Sequence, residues 1–202
     1  MFYIFINFKK NMKKFIFTLV VMFACVSISM AQEDVFQKGD VVLGVGIGIG
    51  NTLNGAGYSS TIPPIVISGE YGITDALIQQ TGKGYVGVGG YLSYTANKYK
   101  YNIGGDDYGY KYTYMIIGGR GSFHYQFVDK LDTYAGVIAG FNISSGKAYG
   151  DWGSASYKVA SNGGFVYSTF VGARYYFTDN IAVFGEAGYG FNLLEAGLAI
   201  KF

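Results

Sequence analysis

Apolar and polar residues alternate with a period of two along most of the chain, which predicts β-strands rather than helices. In the first such segment, Leu43, Val45 and Ile47 alternate with glycines. Turn-forming residues separate eight segments of this kind, at about 40–50, 65–72, 85–95, 110–127, 131–144, 165–177, 181–191 and 194–202. Their lengths suit the roughly 9–11 residues that a tilted membrane-crossing strand needs.

The connections between these segments fall into two kinds. Those at 128–130 and 178–180 are tight, whereas three others are long, polar and rich in Gly, Ser and Tyr: 51–61, 97–108 and 145–162. Short turns on one side and long loops on the other are typical of bacterial outer-membrane barrels. The long connection at 73–84 and the short turn near Asn192 depart from this pattern.

The last strand carries a polar residue, a glycine, a hydrophobic residue and a terminal aromatic residue at Glu195, Gly197, Ile200 and Phe202. This arrangement resembles the C-terminal signal by which Gram-negative outer-membrane barrels are recognised during assembly. The resemblance implies the barrel assembly machinery and periplasmic chaperones as partners.

The N-terminal 31 residues are predicted to be a cleavable signal peptide. Lys13 and Lys14 precede an apolar run that ends in the small residues Ser29 and Ala31. Residues 1–11 are attributed to a start codon assigned too far upstream. Residues 32–38 are then a short periplasmic segment, and 39–202 form the barrel. An uncleaved membrane anchor and a lipoprotein modified at Cys25 are the alternatives.

Loss of residues 1–31 changes the charge and the chemistry of the chain. It leaves 11 of the 15 basic residues against all 13 acidic residues, so the net charge becomes −2 and no nucleic-acid partner is predicted. The single cysteine is lost as well, which excludes disulfide and thiol chemistry. The remaining composition, with 32 Gly, 20 Tyr and 16 Phe in the whole chain, suits a membrane barrel with aromatic residues at its interfaces.

Residues 39–202 resemble the small eight-stranded outer-membrane barrel family, which includes the transmembrane domain of outer membrane protein A and barrels similar to outer membrane protein X. The resemblance rests on the strand pattern, the turn spacing and the C-terminal residues. It implies an all-β fold, an eight-stranded antiparallel up-and-down transmembrane β-barrel. It further implies a monomer in a Gram-negative outer membrane, in contact with membrane lipid and lipopolysaccharide, without a cofactor.

Charged residues at inward positions are predicted to form an ion-paired network that packs the lumen. The interior of an eight-stranded barrel is only wide enough for side chains, and unpaired charges there are costly. We expect Arg174 to lie diagonal to Glu186, within reach of its side chain. A gated path for ions or small solutes is the alternative. The predicted network residues are Glu70, Arg120, Arg174 and Glu186.

His124 is the only histidine, and the predicted register places it opposite Tyr134 and diagonal to Asp132. With Ser122 this group invites a hydrolase interpretation. Barrel enzymes similar to lipid A palmitoyltransferase, however, act near the outer leaflet, whereas His124 lies near a predicted periplasmic turn. We therefore interpret His124 as structural. No catalytic residue, cofactor or metal site is predicted.

Aromatic residues in the long connections are the predicted interaction residues, namely Tyr99, Tyr101, Tyr108, Tyr110 and Trp152. Tyrosine supplies large contact area at low entropic cost. A hairpin that extends the sheet outward is the alternative interpretation of the tyrosines.

The predicted function is non-enzymatic: an envelope-structural role, or adhesion through external loops to an extracellular ligand or host surface. The alternatives are a narrow porin-like channel and a lipid-modifying enzyme. A soluble lipocalin-like barrel is the rival fold, and it would require the apolar residues to face inward.

Overall fold

The computed structural model describes residues 34–51, 59–103, 106–149, 158–159 and 163–202, so the predicted signal peptide lies outside the described residues. No helix long and apolar enough to cross a membrane is present within these ranges. The described chain forms nine strands: β1 Val41–Asn51, β2 Ser59–Gly72, β3 Tyr85–Ile103, β4 Asp106–Val128, β5 Leu131–Tyr149, β6 Lys158–Val159, β7 Gly163–Tyr176, β8 Ile181–Tyr189 and β9 Asn192–Lys201.

Eight of these strands close into a barrel in which every pairing is antiparallel. The sheet runs β4-β3-β2-β1-β9-β8-β7-β5, and pairing of β4 with β5 completes the ring. The short strand β6 pairs with the outer end of β5 and adds to the sheet there. The predicted eight-stranded antiparallel barrel is thus confirmed.

The two faces of the barrel follow the alternation in the sequence. On β1, Val45 and Ile47 expose 58% and 57% of their surface, while the intervening glycines face the interior. Large exposed hydrophobic residues recur in this way on the other long strands, for example Val171 on β7 and Leu198 on β9. A soluble lipocalin-like barrel would require the opposite arrangement.

The core lies inside the barrel and has two clusters of buried apolar residues. The cluster toward the end where β1 begins includes Phe36, Tyr176 and Phe184. The cluster toward the opposite end includes Tyr91, Ile138, Phe170 and Phe191.

Inward glycines make room for these large side chains. A Cβ at Gly46 would lie 2.9 Å from Cζ of Phe184. A Cβ at Gly172 would lie 2.6 Å from the Tyr134 ring and 2.8 Å from Cγ of Glu186. Because these distances are shorter than Cβ contacts allow, the lumen side chains occupy the space that the missing side chains leave.

Three strands are longer than predicted. The segment 97–108 was expected to be a loop, but β3 continues to Ile103 and β4 begins at Asp106, with unbroken pairing between them. The expected loop 145–162 likewise begins with strand, because β5 continues to Tyr149. The expectation of loops was wrong here because these segments are rich in tyrosine, which favours strands and pairs across them.

The turn between β4 and β5 also differs from the prediction. The connection at 128–130 was expected to have three residues, but the turn consists of Asp129 and Lys130, and Lys130 has a φ of 60°. A bulge between Gln126 and Val128 supplies the extra residue on β4. The bulge keeps His124 opposite Tyr134, so the predicted register holds although the turn is shorter.

Candidate functional site

Glu70 on β2 is the centre of a buried ionic network inside the barrel. It accepts hydrogen bonds from Nη2 of Arg174 and from the hydroxyl of Ser122. Nε2 of His124 lies 3.2 Å from its Oε1, and Nε of Arg120 lies 3.6 Å from the same oxygen. All of these side chains are buried, so the charge of Glu70 is balanced by protein groups rather than by solvent.

Two further carboxylates complete the network. Nη2 of Arg120 donates to Oε1 of Glu186 at 2.9 Å, and the hydroxyl of Tyr134 donates to the same oxygen at 2.9 Å. Asp132 lies 3.3 Å from Nη1 of Arg174. The network therefore joins opposite charges from β2, β4, β5, β7 and β8, which ties strands together across the lumen.

Aromatic rings hold the two guanidinium groups in place. The guanidinium of Arg120 lies 4.3 Å from the ring centroid of Phe170, and that of Arg174 lies 4.4 Å from the ring centroid of Tyr134. A cation over an aromatic face at this distance gains additional stabilisation when both groups are desolvated.

The structure thus brings together all four residues of the predicted network, but with different partners. Arg174 was expected to reach Glu186 on the neighbouring strand. It instead binds Glu70 on β2 and Asp132 on β5, while Glu186 is bound by Arg120. Side chains that cross the narrow lumen have more partners within reach than the strand-to-strand register alone indicates.

His124 belongs to this network and has no geometry suited to hydrolysis. Its Nδ1 lies 2.9 Å from Asp132 and its Nε2 faces Glu70, so a protonated imidazole can donate to both carboxylates. Ser122 donates to Glu70. All four groups are buried in the lumen, so Ser122 is neither activated by His124 nor accessible to a substrate.

The described N-terminal residues close the end of the lumen where β1 begins. Phe36 is 2% exposed, and its ring stacks on His124 with the centroids 3.8 Å apart. The backbone nitrogen of Val35 donates to Oε1 of Gln126 at 2.7 Å, and Nζ of Lys201 donates to the carbonyl oxygen of Val35 at 3.2 Å. Residues 34–38, which we call the N-terminal plug, therefore fill this mouth of the barrel. The sequence analysis described this segment as periplasmic and did not predict the plug.

The other half of the lumen holds a smaller polar group. Nδ2 of Asn192 donates to the hydroxyl of Tyr91 at 3.1 Å, and that hydroxyl lies 3.3 Å from Oε2 of Glu195. Phe170 and Phe191 adjoin this group around a cavity of about 20 Å³, which has room for about one water molecule.

The four residues of the predicted assembly signal occupy both faces of β9. Glu195 is buried in the lumen, whereas Ile200 and Phe202 are exposed on the outside of the barrel. Gly197 pairs directly with Gly46 on β1 and with Phe184 on β8. Their role in assembly stays a prediction.

The predicted interaction tyrosines lie on strands instead of loops. Tyr99 pairs directly with Tyr110, and Tyr101 with Tyr108, on the outer ends of β3 and β4. By alternation these positions share the face of the buried Asn97, which is the inner face of the sheet. Trp152 and the side chains of Tyr101 and Tyr108 lie outside the described residues.

Lysines on the opposite face of the same strands were not singled out in the sequence. Lys98 on β3 pairs with Lys111 on β4, Lys111 pairs with Lys147 on β5, and Lys147 pairs with Lys158 on β6. We call these four residues the lysine row. Counting outward from the β4–β5 turn gives the Lys111–Lys147 pair from the sequence, but it requires the correct bulge.

No protein-family model matches the chain, and no curated protein matches it. Solved structures similar to this chain include the attachment invasion locus protein Ail of Yersinia pestis in complex with the heparin analogue sucrose octasulfate, with 12% identity and a TM-score of 0.47 over 82% of this chain and 100% of Ail. The outer membrane protein OprG of Pseudomonas aeruginosa has 11% identity and a TM-score of 0.47, over 82% of this chain and 97% of OprG. The N-terminal β-barrel domain of Pseudomonas aeruginosa OprF has 12% identity and a TM-score of 0.45, over 83% of this chain and 100% of that domain. These similarities are distant, and the barrel fold rests on the strand pairing of the chain itself.

Proposed function

We propose that this chain is a non-enzymatic barrel of the Gram-negative outer membrane that acts at the cell surface through the outer ends of β3, β4 and β5, which we call the outer wall. The observation that carries this proposal is strand length. The three strands have 19, 23 and 19 residues, whereas roughly 9–11 residues cross a membrane. About half of each strand therefore extends beyond the bilayer.

The outer surface of the barrel supports the membrane location. Exposed apolar residues encircle it, and exposed aromatic residues lie near both ends of the apolar band, as expected for girdles at the two interfaces. The aromatic residues near the β4–β5 and β7–β8 turns are Phe123, Phe127, Tyr175 and Phe177, and those toward the opposite end are Phe141, Phe165, Tyr167 and Tyr189.

The contents of the lumen favour a structural role over conduction. An ion would have to displace the N-terminal plug, the ion pairs around Glu70 and the aromatic cluster around Phe170. Each of these groups is buried, and breaking a buried ion pair is costly. We therefore propose that the network holds the barrel closed. A porin-like path would require all three layers to move together.

The lumen also favours a non-enzymatic role. A lipid-modifying barrel enzyme would need a nucleophile and a base that converge on a cleft open to the outer leaflet. In this chain Ser122 and His124 bind Glu70 inside the barrel instead.

The outer wall supports a role in surface interaction, in adhesion or in the envelope structure itself. It presents paired tyrosine positions on one face and lysine positions on the other. Aromatic and basic residues on a rigid sheet are suited to binding, because little side-chain freedom is lost when a partner is bound.

Surface display tests this proposal. Cells that carry the Tyr99→Ser, Tyr101→Ser double variant should lose binding to epithelial cells or extracellular matrix. The matched control is Tyr71→Ser with Tyr175→Ser, which removes two exposed tyrosines from the opposite end of the barrel and should leave binding intact. Heat-modifiable gel migration checks that both variants fold. Unchanged adhesion in the first variant would contradict the proposal.

A further inference from the structure

Four lysines in one row across four neighbouring strands are an unfavourable arrangement for the protein alone. Directly opposed residues in an antiparallel sheet have Cβ atoms about 5 Å apart, and like charges at that distance repel. The register places Lys98, Lys111, Lys147 and Lys158 in consecutive opposed positions. Lys100, one strand position outward on the same face of β3, adds to the same charge.

The described acidic positions do not offset this charge within the row. On the same face of β4, Asp107 is the acidic position, and it lies four residues outward from Lys111, which is about 13 Å along a strand. Nine lysines follow the predicted signal peptide, and five of them are on this face of the outer wall. An anionic ligand that bridges neighbouring lysines would remove the repulsion.

The location of the row indicates the source of that anion. The outward face of β4 and β5 changes from apolar to basic over two steps: Met115 opposite Ile143, then Thr113 opposite Ser145, then Lys111 opposite Lys147. The lysine row therefore begins about 13 Å along the strand from the last apolar pair. For a strand tilted by about 40°, this is about 10 Å along the membrane normal, at the outer edge of the headgroup region.

The direction of the row favours the surrounding leaflet over a ligand above the barrel. Lys111 and Lys147 share the face of Ile117 and Phe141, which are exposed on the lipid side of the barrel. Lysine side chains at such positions reach toward the interface while their aliphatic stems cover the sheet.

We propose that the lysine row binds the phosphate groups of the anionic glycolipid that forms the outer leaflet. The row offers ammonium groups at the spacing of adjacent strands, which suits a ligand with two or more phosphates on a rigid sugar scaffold. Binding anchors the outer wall to the leaflet and fixes its orientation for the surface interactions proposed above. This inference rests on the proposed outer-membrane location, but it does not depend on what the tyrosine face binds.

Titration of fluorescent lipid A into the full-length mature protein in zwitterionic micelles tests the proposal. Fluorescence anisotropy gives the affinity for bisphosphorylated lipid A and for its dephosphorylated form. The Lys111→Gln, Lys147→Gln variant should bind the phosphorylated form about thirtyfold more weakly, since each lysine near an anionic membrane surface contributes about a factor of five. The matched control, Lys38→Gln with Lys130→Gln, removes the same charge from exposed positions at the opposite end and should bind as the wild type does.

The results separate the sources of binding. A loss confined to the row variant and to phosphorylated lipid A supports the proposal. Equal loss in both variants would show general charge attraction, and equal affinity for dephosphorylated lipid A would show binding through the acyl chains; either result overturns it. A soluble heparin oligosaccharide provides the third arm, and if it displaces lipid A at equal concentration, the row binds an extracellular polyanion instead. Adhesion through the tyrosine face can fail in the surface-display test without changing any of these outcomes.

Discussion

The lumen network and the lysine row are built on neighbouring strands of the same sheet, yet they arrange charge in opposite ways. In the lumen, Arg174 lies between Glu70 and Asp132, and every charge is buried beside the opposite sign. On the outer wall, Lys111 lies between Lys98 and Lys147, and like charges are opposed. Because burial multiplies the cost of an unpaired charge, only the exposed face can hold a row of one sign.

The difference indicates separate roles for the two regions. Opposite charges that join five strands across the lumen stabilise the folded barrel. Like charges along an exposed face weaken it slightly, which is understandable if they serve binding. Substitutions that distinguish stability from binding therefore test this comparison.

The largest effect is expected from Arg174→Ala, which would leave Glu70 and Asp132 without their shared cation. Removal of one partner of a buried ion pair costs about 3–5 kcal/mol. Urea unfolding of the refolded protein in lipid vesicles should therefore show a strongly lowered free energy of unfolding. Adding Glu70→Gln to the variant should restore part of the loss, because one buried negative charge is then removed. If the single variant is as stable as the wild type, the network is not what holds the barrel together.

Phe36→Ala should have the next largest effect, because it empties the space above His124 that the plug fills. Truncation of a buried phenylalanine costs about 3–5 kcal/mol, and relaxation of the N-terminal plug places this site at about 3. The same urea unfolding series measures it. Val35→Ala offers a milder comparison on the same segment, since Val35 is only partly buried. Equal losses in the two variants would contradict the assignment of Phe36 as the sealing residue.

Lys111→Gln with Lys147→Gln should leave stability within about 0.5 kcal/mol of the wild type, or raise it slightly as repulsion is relieved. The midpoint of urea unfolding is the measurement, in vesicles that contain no anionic lipid. A large loss would mean that the row contributes to the fold, and the contrast with the lumen would disappear.

The smallest effect is expected at the exposed pair of Lys38 and Asp75, whose atoms Nζ and Oδ2 are 2.7 Å apart. Asp75 raises the pKa of Lys38 above its ordinary value of 10.5 through a hydrogen bond and through its charge. A raised pKa stabilises the fold at every pH below 10.5, and the contribution is lost only as pH rises through the folded value. Since both groups are exposed, Lys38→Ala should leave the unfolding midpoint at pH 8 unchanged. A clear shift would show that the plug depends on this pair.

The barrel could be predicted from the sequence because the alternation on strands such as β1 determines which residues face outward, and a two-residue period tolerates small errors at strand ends. The inward location of Arg120 and Arg174 follows from the same parity. Their partners could not be predicted, because contacts across the lumen depend on closure and stagger of the whole ring. The outer ends of β3 and β4 were missed because polar tyrosine-rich segments resemble loops in composition. Phe36 gave no periodic signal, since it lies before the first strand.

The claim that the lumen is structural and that the outer wall carries the function is tested most directly by recording the refolded mature protein in a planar lipid bilayer. The account predicts no step conductance, because the plug, the ion pairs and the aromatic cluster close the lumen in series. Stable conductance steps whose ion selectivity changes in the Arg120→Ala variant would contradict it and would show that the buried network lines a path.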